Sequence, residues 1–329
     1  MKLILKIFLS SIILFLSISY FYIAKQLGEK YEADSASIII PKNCSIRCIS
    51  NILSEKNITN TKFAFYYLIF SDFLGKKTLA GEYQINTGET FEEIIKKFRY
   101  GKVIVHKITI PEGFTTQQII NLLQFQNNIT NDISATDIYP EGAFFPTTYQ
   151  YLYGTTATQL LSKMSNEMEK VVNTEWEHRD ISIYKYKNIN EAMIIASIIE
   201  KEAVFENEKN IIASVYINRL LKNMLLQADP TVIYGISKWN DFNRKLYYKD
   251  LKIRSLYNTY IYRGLPPTPI CNPGKSSIHA AMHPIHTDFL YFVANKDGSH
   301  VFSKTYQNHL KNIKHINKNN ANNLGKIQK

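Results

Sequence analysis

Cysteine is scarce, with three in 329 residues. That is too few to staple a chain of this length, which excludes a disulfide-built scaffold. Cys44 and Cys48 stand four apart on a predicted helix, where they read as small core residues. A bridge between them would require unusual geometry, and Cys271 is left over in either case. Neither G-x-S-x-G nor a P-loop occurs, which removes two common routes to acyl-transfer and nucleotide chemistry. Beyond the N-terminal run, no stretch is long and apolar enough to span a bilayer. Phe63–Phe70 reads only as a buried-helix candidate. No acidic residue follows Asp297, whereas six lysines do.

That last asymmetry bears on the net charge of +11. Such a balance points to a polyanionic neighbour: nucleic acid, a membrane surface or a cell wall. The excess is concentrated after Ser303 and between residues 36 and 105, while residues 106–189 are acidic on balance. No nucleic-acid-binding motif accompanies it, so no nucleic-acid partner is expected. Apolar residues at 45% and charged residues at 20% allow a real core and exclude wholesale disorder.

Residues 7–24 carry no charge and match about the minimum length for a spanning helix. The run ends in Tyr20, Phe21, Tyr22 and Ile23 rather than a small-residue cleavage site. It therefore reads as an uncleaved anchor with an interfacial aromatic belt. Lys2 and Lys6 precede it, and Lys25 and Lys30 follow among acids. The slight bias puts residues 1–6 in the cytoplasm and the remainder outside.

Three segments then repeat one grammar: an extended stretch, a turn, a Ser/Thr cap and a helical pattern. They run through Ser45 into Ile46–Leu53, through Thr90 into Phe91–Phe98, and through Thr115 into Ile119–Leu123. Thr90-Phe91-Glu92-Glu93 is the clearest capping box. Longer helices are predicted over Thr158–Val172, Glu191–Phe205 and Glu208–Leu221, and a strand over Leu290–Ala294. The Lys/Asn-rich tail beyond Lys304 reads as loosely ordered.

The helix Glu191–Phe205 carries the most chemical information. Ala192–Ile199 contains one polar residue, Ser197, and is expected to be buried on nearly every side. It then presents Glu200, Lys201 and Glu202. At about 100° per residue the two carboxylates point in nearly opposite directions and cannot act as a facing pair. A carboxyl at the C-terminal end of an apolar helix is poorly solvated and faces the negative end of the dipole. Both effects raise its pKa, as a general acid requires.

A second cluster is Gln227, Asp229, Pro230, Thr231 and Tyr234, where Asp229 could equally cap the next segment. A third is Tyr257-Asn258-Thr259-Tyr260 before the proline-stiffened Gly264-Leu265-Pro266-Pro267, suited to a sugar platform. His279, His283 and His286 have helical metal-ligand spacing. However, Pro284 interrupts them and no neighbouring carboxylate or cysteine completes a set, so neither metal nor cofactor is expected.

Taken in order, these segments resemble the endolytic murein transglycosylases, the MltG or YceG-like family. The matching stretches include Ala196-Ser197-Ile198-Ile199-Glu200-Lys201-Glu202, Ala213–Leu220, Leu226–Gly235, Tyr257–Tyr260, Asn272-Pro273-Gly274, Ala280–Pro284 and Gly298-Ser299-His300. Ile110-Pro111-Glu112-Gly113 fits upstream. The resemblance spans roughly residues 36–310. The family's pattern differs at Thr147, Ala228 and Cys271.

The resemblance implies an α+β fold. A LysM-like membrane-proximal region would cover 36–125, a catalytic domain 126–310, and a basic tail 311–329. It implies cleavage of the MurNAc–GlcNAc β-1,4 bond of peptidoglycan glycan strands with 1,6-anhydroMurNAc formation. The enzyme would be anchored in the bacterial cytoplasmic (inner) membrane, working beside wall-synthesis enzymes such as penicillin-binding proteins. The catalytic glutamate aligns to Glu202, with Glu200 the alternative. Gln227, Asp229, Tyr234, Asn258 and Tyr260 are the implied substrate-binding residues. Two other readings are a muramidase, with Asp229 activating water beside Glu202, and a non-catalytic wall-binding scaffold.

Overall fold

The computed structural model describes residues 2–134, 136–238 and 242–327. It is a mixed α+β chain of two compact units. One comprises Met1–Lys107 with Gln150–Thr155, the other Ile108–Tyr149 with Thr156–Lys329.

The first unit opens with α1 (Lys2–Gly28). Within it Ile4–Gly28 has a mean hydropathy of 2.1 and is unburied. By length and composition it is a candidate membrane span, a little longer than the 7–24 expected. Next come β1 (Ala36–Ile40), α2 (Ile46–Glu55), α3 (Thr61–Phe73), β2 (Gly81–Ile85) and α4 (Phe91–Arg99). β1 and β2 pair antiparallel, Ile38 opposite Tyr83. The Thr90 capping box forms, with Glu93 reaching back to the cap. From this start α4 buries Phe91, Ile94, Ile95 and Phe98 at 3.6-residue spacing. These four pack with Tyr83 and Leu53 as the unit's core.

Two expectations fail in this unit. Cys44 and Cys48 are not separate core residues but form a disulfide, with Cα atoms 5.6 Å apart. Ser45 is the extended N-cap of α2, so Cys44 lies outside the helix and is free to turn back onto Cys48. Phe63–Phe70 is not a buried helix either. Within α3 only Ala64, Leu68 and Ser71 are buried, while Tyr66, Phe70 and Phe73 are exposed.

The chain continues through β3 (Val105–Thr109), α5 (Thr116–Gln124), β4 (Ile129–Thr130), β5 (Thr148–Leu152) and β6 (Thr155–Thr156). β3 pairs with β5 and β4 with β6. α5, the third repeat of the strand–turn–helix grammar, packs with the second unit rather than the first. The reason lies in its lead-in. Gly113 N–H donates to Asn272 O, and Asn272 Nδ2 donates to Phe114 O. Thr116 N–H donates to Glu141.

The second unit is helical. It contains α6 (Ala157–Glu177), α7 (Ile189–Glu202), α8 (Lys209–Leu221), α9 (Asp229–Ser237) and α10 (Lys275–Met282). The antiparallel hairpin β7 (Tyr291–Ala294) and β8 (His300–Ser303) follows, then α11 (Tyr306–Ile327). α7 is its axis. Every residue from Ala192 to Ile199 is buried, against neighbours that include Ile212 and Tyr216 of α8 and Ile278 and Ala281 of α10. The tail expected to be loose is instead helical, and at its start His309 stacks on Tyr291 of the hairpin while Tyr306 tilts against the same ring.

Candidate active site

α7 ends at Glu202, not Phe205. Ala203 turns extended after its N–H donates to Ile199 O. The helix end therefore delivers Glu202 to a cavity of about 370 Å³. Its neighbour two residues back has a different fate. Glu200 Oε2 accepts hydrogen bonds from Gly274 N–H (3.0 Å) and Ser277 Oγ (2.6 Å) at the start of α10. Lys209 Nζ approaches it at 3.5 Å. The opposed directions expected from helical geometry thus place one carboxylate in a structural knot and the other at an opening.

Glu202 Oε1 accepts a 2.9 Å hydrogen bond from Tyr216 OH on α8. Burial pushes the Glu202 carboxyl up to about 7, reinforced by the nearby Asp229 charge. The Tyr216 hydrogen bond and Arg219 pull it partly back. A carboxyl so placed is divided between acid and carboxylate near neutrality.

Gln227, Asp229 and Tyr260 line the same cavity. Gln227 sits at φ +50°, a left-handed conformation uncommon outside glycine. It is held there because Gln227 N–H donates to Thr259 O and Ala228 N–H to Thr259 Oγ1. Thr231 Oγ1 closes this knot on Ala228 O. The cap of α9 is Ala228, with no side-chain cap, which leaves Asp229 for another partner. Its Oδ1 accepts a 2.6 Å hydrogen bond from Tyr260 OH. Burial, more than the adjacent Asp229, raises the Tyr260 pKa, so the phenol remains a donor.

Tyr234 and Asn258 lie outside the cavity lining. Tyr234 OH donates to Glu141 Oε2 at 3.1 Å. Asn258 is buried, donating to Leu251 O and Ile253 O and accepting from Tyr260 N–H. It shapes the Tyr260 loop from behind, because its amide is spent on backbone.

Seven wall residues were not assigned to the site in the sequence reading, among them Arg219, Phe292, His300 and His309. Arg219, buried on α8, donates through Nε to Leu290 O (2.7 Å) and through Nη1 to Leu226 O (2.8 Å). It thereby joins the hairpin to the Gln227 loop. Phe292 and His300 come from the hairpin and His309 from α11. The available signal was an arginine inside the apolar pattern of α8, three residues after Tyr216. A charge at such a position must find buried acceptors.

Residues 38–315 match the YceG-like family, and the chain belongs to it. It is 36% identical over 328 residues to the endolytic murein transglycosylase of Bacillus subtilis strain 168, covering 88% of each chain. It is 26% identical to the endolytic murein transglycosylase of Streptococcus pneumoniae D39, across 84% of this chain and 58% of that longer protein. Among solved structures, a YceG-like protein of Listeria monocytogenes aligns at TM-score 0.51 and 32% identity. That alignment covers 84% of this chain and 99% of the other.

Proposed function

We propose that this chain is a membrane-anchored endolytic lytic transglycosylase. It would cut the MurNAc–GlcNAc bond of peptidoglycan strands and leave a 1,6-anhydroMurNAc end. One observation carries the reading: a carboxyl held near pKa 7 at the end of an apolar helix, facing a ligand-sized cavity. In this mechanism Glu202 protonates the glycosidic oxygen as an oxocarbenium-like centre develops. It then takes the proton of the MurNAc 6-hydroxyl as that oxygen closes the ring. The substrate supplies its own nucleophile, so no second catalytic carboxylate is required, unlike an ordinary glycosidase. Gln227 and the Asp229–Tyr260 pair position the sugar, and Asp229 also helps keep Glu202 protonated.

The α1 span supports a single-pass anchor in the cytoplasmic membrane, with the second unit outside. In the same unit Tyr22 of α1 meets Phe63 of α3 at 6.3 Å between ring centroids. The β1–α2–α3–β2 order, two helices between paired strands, supports the LysM-like reading and a grip on glycan. Working outside the membrane on such strands, the enzyme would stand beside the wall synthases, including penicillin-binding proteins, whose product it cuts.

The test is Glu202→Gln with uncrosslinked glycan strands and mass spectrometry of the products. Loss of the acid is expected to lower anhydro-product formation by about 10²–10⁴-fold. Full retention sinks the assignment of Glu202. Wild-type products carrying an added water would mean a muramidase, and strands bound but never cut would mean a scaffold.

A further inference from the structure

On a face that the proposed reaction does not use, α6 and α10 bring three metal-ligating side chains together. Glu175 of α6 is 8% exposed. Its Oε2 lies 2.8 Å from His279 Nδ1 and 3.3 Å from His283 Nε2 of α10. One donor atom from each residue falls within 4.8 Å of the other two. Four-coordinate zinc, with ligands at about 2.0–2.2 Å, separates neighbouring donors by roughly 3.3 Å. The Glu175–His283 separation already matches that spacing and the Glu175–His279 one is 0.5 Å short of it, while the two imidazole donors, no more than 4.8 Å apart, need at most about 1.5 Å of adjustment.

The hydrogen bonding is incomplete without a further group. His283 Nε2 is buried and, although 3.3 Å from Glu175 Oε2, has no well-formed hydrogen bond. The two imidazoles stack at 4.4 Å between centroids, so neither can turn edge-on to satisfy the other. Among the described residues, no lysine or arginine pairs with Glu175. A proton between Glu175 and His279 serves two of the three groups; a divalent cation accepts a lone pair from all three.

The scaffold is also braced. Asn210 Nδ2 of α8 donates to His283 O, Tyr186 OH to Ala281 O, and Asp180 N–H to Met282 O. These bonds hold the end of α10 where the ring must point. His286, beyond Pro284, is not a member of the cluster.

We infer that Glu175, His279 and His283 form a binding site for a zinc-class divalent transition metal, with an open fourth position for water. Two imidazoles and one carboxylate suit such an ion better than magnesium or calcium, which prefer all-oxygen shells. The ion would clamp α6 to α10, the helix whose first turn holds Glu200.

Co²⁺ and Zn²⁺ are the probes, added to the chelator-stripped full chain in detergent. One equivalent of Co²⁺ should produce saturable visible d–d absorption, which Zn²⁺ should abolish by displacement. Zn²⁺ should also raise the Tm. His279 is half-exposed, so His279→Ala should fold while losing the band. Its affinity should fall at least about tenfold, the lower bound seen even for lost outer-shell partners. Glu175→Gln should behave likewise, and His286→Ala should retain the band. Absence of a saturable band in the wild type overturns the inference, as does a band that survives both His279→Ala and Glu175→Gln.

Discussion

At the residue scale the decisive contrast is between Glu200 and Glu202. Both are glutamates in the last turn of one helix, and only their surroundings separate them. Glu200 is occupied by a backbone N–H, a serine hydroxyl and a lysine, while Glu202 keeps one tyrosine donor and an open side. In the proposed mechanism the acid form of Glu202 donates the proton, so kcat/KM should fall as pH rises through about 7. Tyr216→Phe removes a hydrogen bond that favours the carboxylate, so the alkaline limb should move to higher pH. Asp229→Asn removes a neighbouring negative charge, so the limb should move to lower pH. A pH–rate series on the three proteins checks both signs. Stability should follow the same direction. Ionising Glu202 is disfavoured in the fold, so its contribution is full below the ordinary carboxyl pKa and is lost as pH rises through about 7.

At the element scale the site is a junction of α7, α8, the 226–229 loop and the β7–β8 hairpin, and Arg219 is the tie. Its guanidinium reaches two carbonyls on separate elements and lies over the Tyr291 ring. A lysine cannot reproduce that fork. Arg219→Lys should cost about 2 kcal/mol, the scale of a hydrogen bond to a charged group, measured as a lower Tm. It should also lower kcat by loosening Gln227 and Phe292 together. Much of the local structure was legible in sequence at this scale. The capping box at Thr90, the cap at Thr115 and the apolar run of α7 each act within one or two helical turns. Cys44–Cys48 was misread although Ser45 was already the expected cap, because both cysteines were placed on a helix that in fact starts only after Cys44 and its neighbour Ser45. Distance along the chain hid Glu175, more than a hundred residues from the histidines it meets.

For the whole molecule, the first turns of α11 belong to the second unit's site, within the stretch that matches the family. α11 places His309 in the cavity wall, stacks it on Tyr291, and joins β8 through Asn312 Nδ2 to Ser303 Oγ. A chain stopped after Ile316 should keep full activity on soluble strands. A chain stopped after Thr305 should lose most of it, with KM raised, even though both lack much of the basic tail. Equal activity of the two would mean that α11 contributes charge alone.

The sequence by itself determined the apolar N-terminal helix, the capped strand–turn–helix grammar, the buried Ala192–Ile199 run of α7 and the opposed directions of Glu200 and Glu202. These follow from composition, helical period and cap chemistry, which are local. Only the tertiary structure decided which carboxylate meets a cavity and that Tyr234 and Asn258 brace the fold rather than line the site. It also decided that Arg219 and His309 belong to the wall, and that two histidines find a buried glutamate. Burial, desolvation and hydrogen-bond partners depend on which distant segments arrive, and no local period records that.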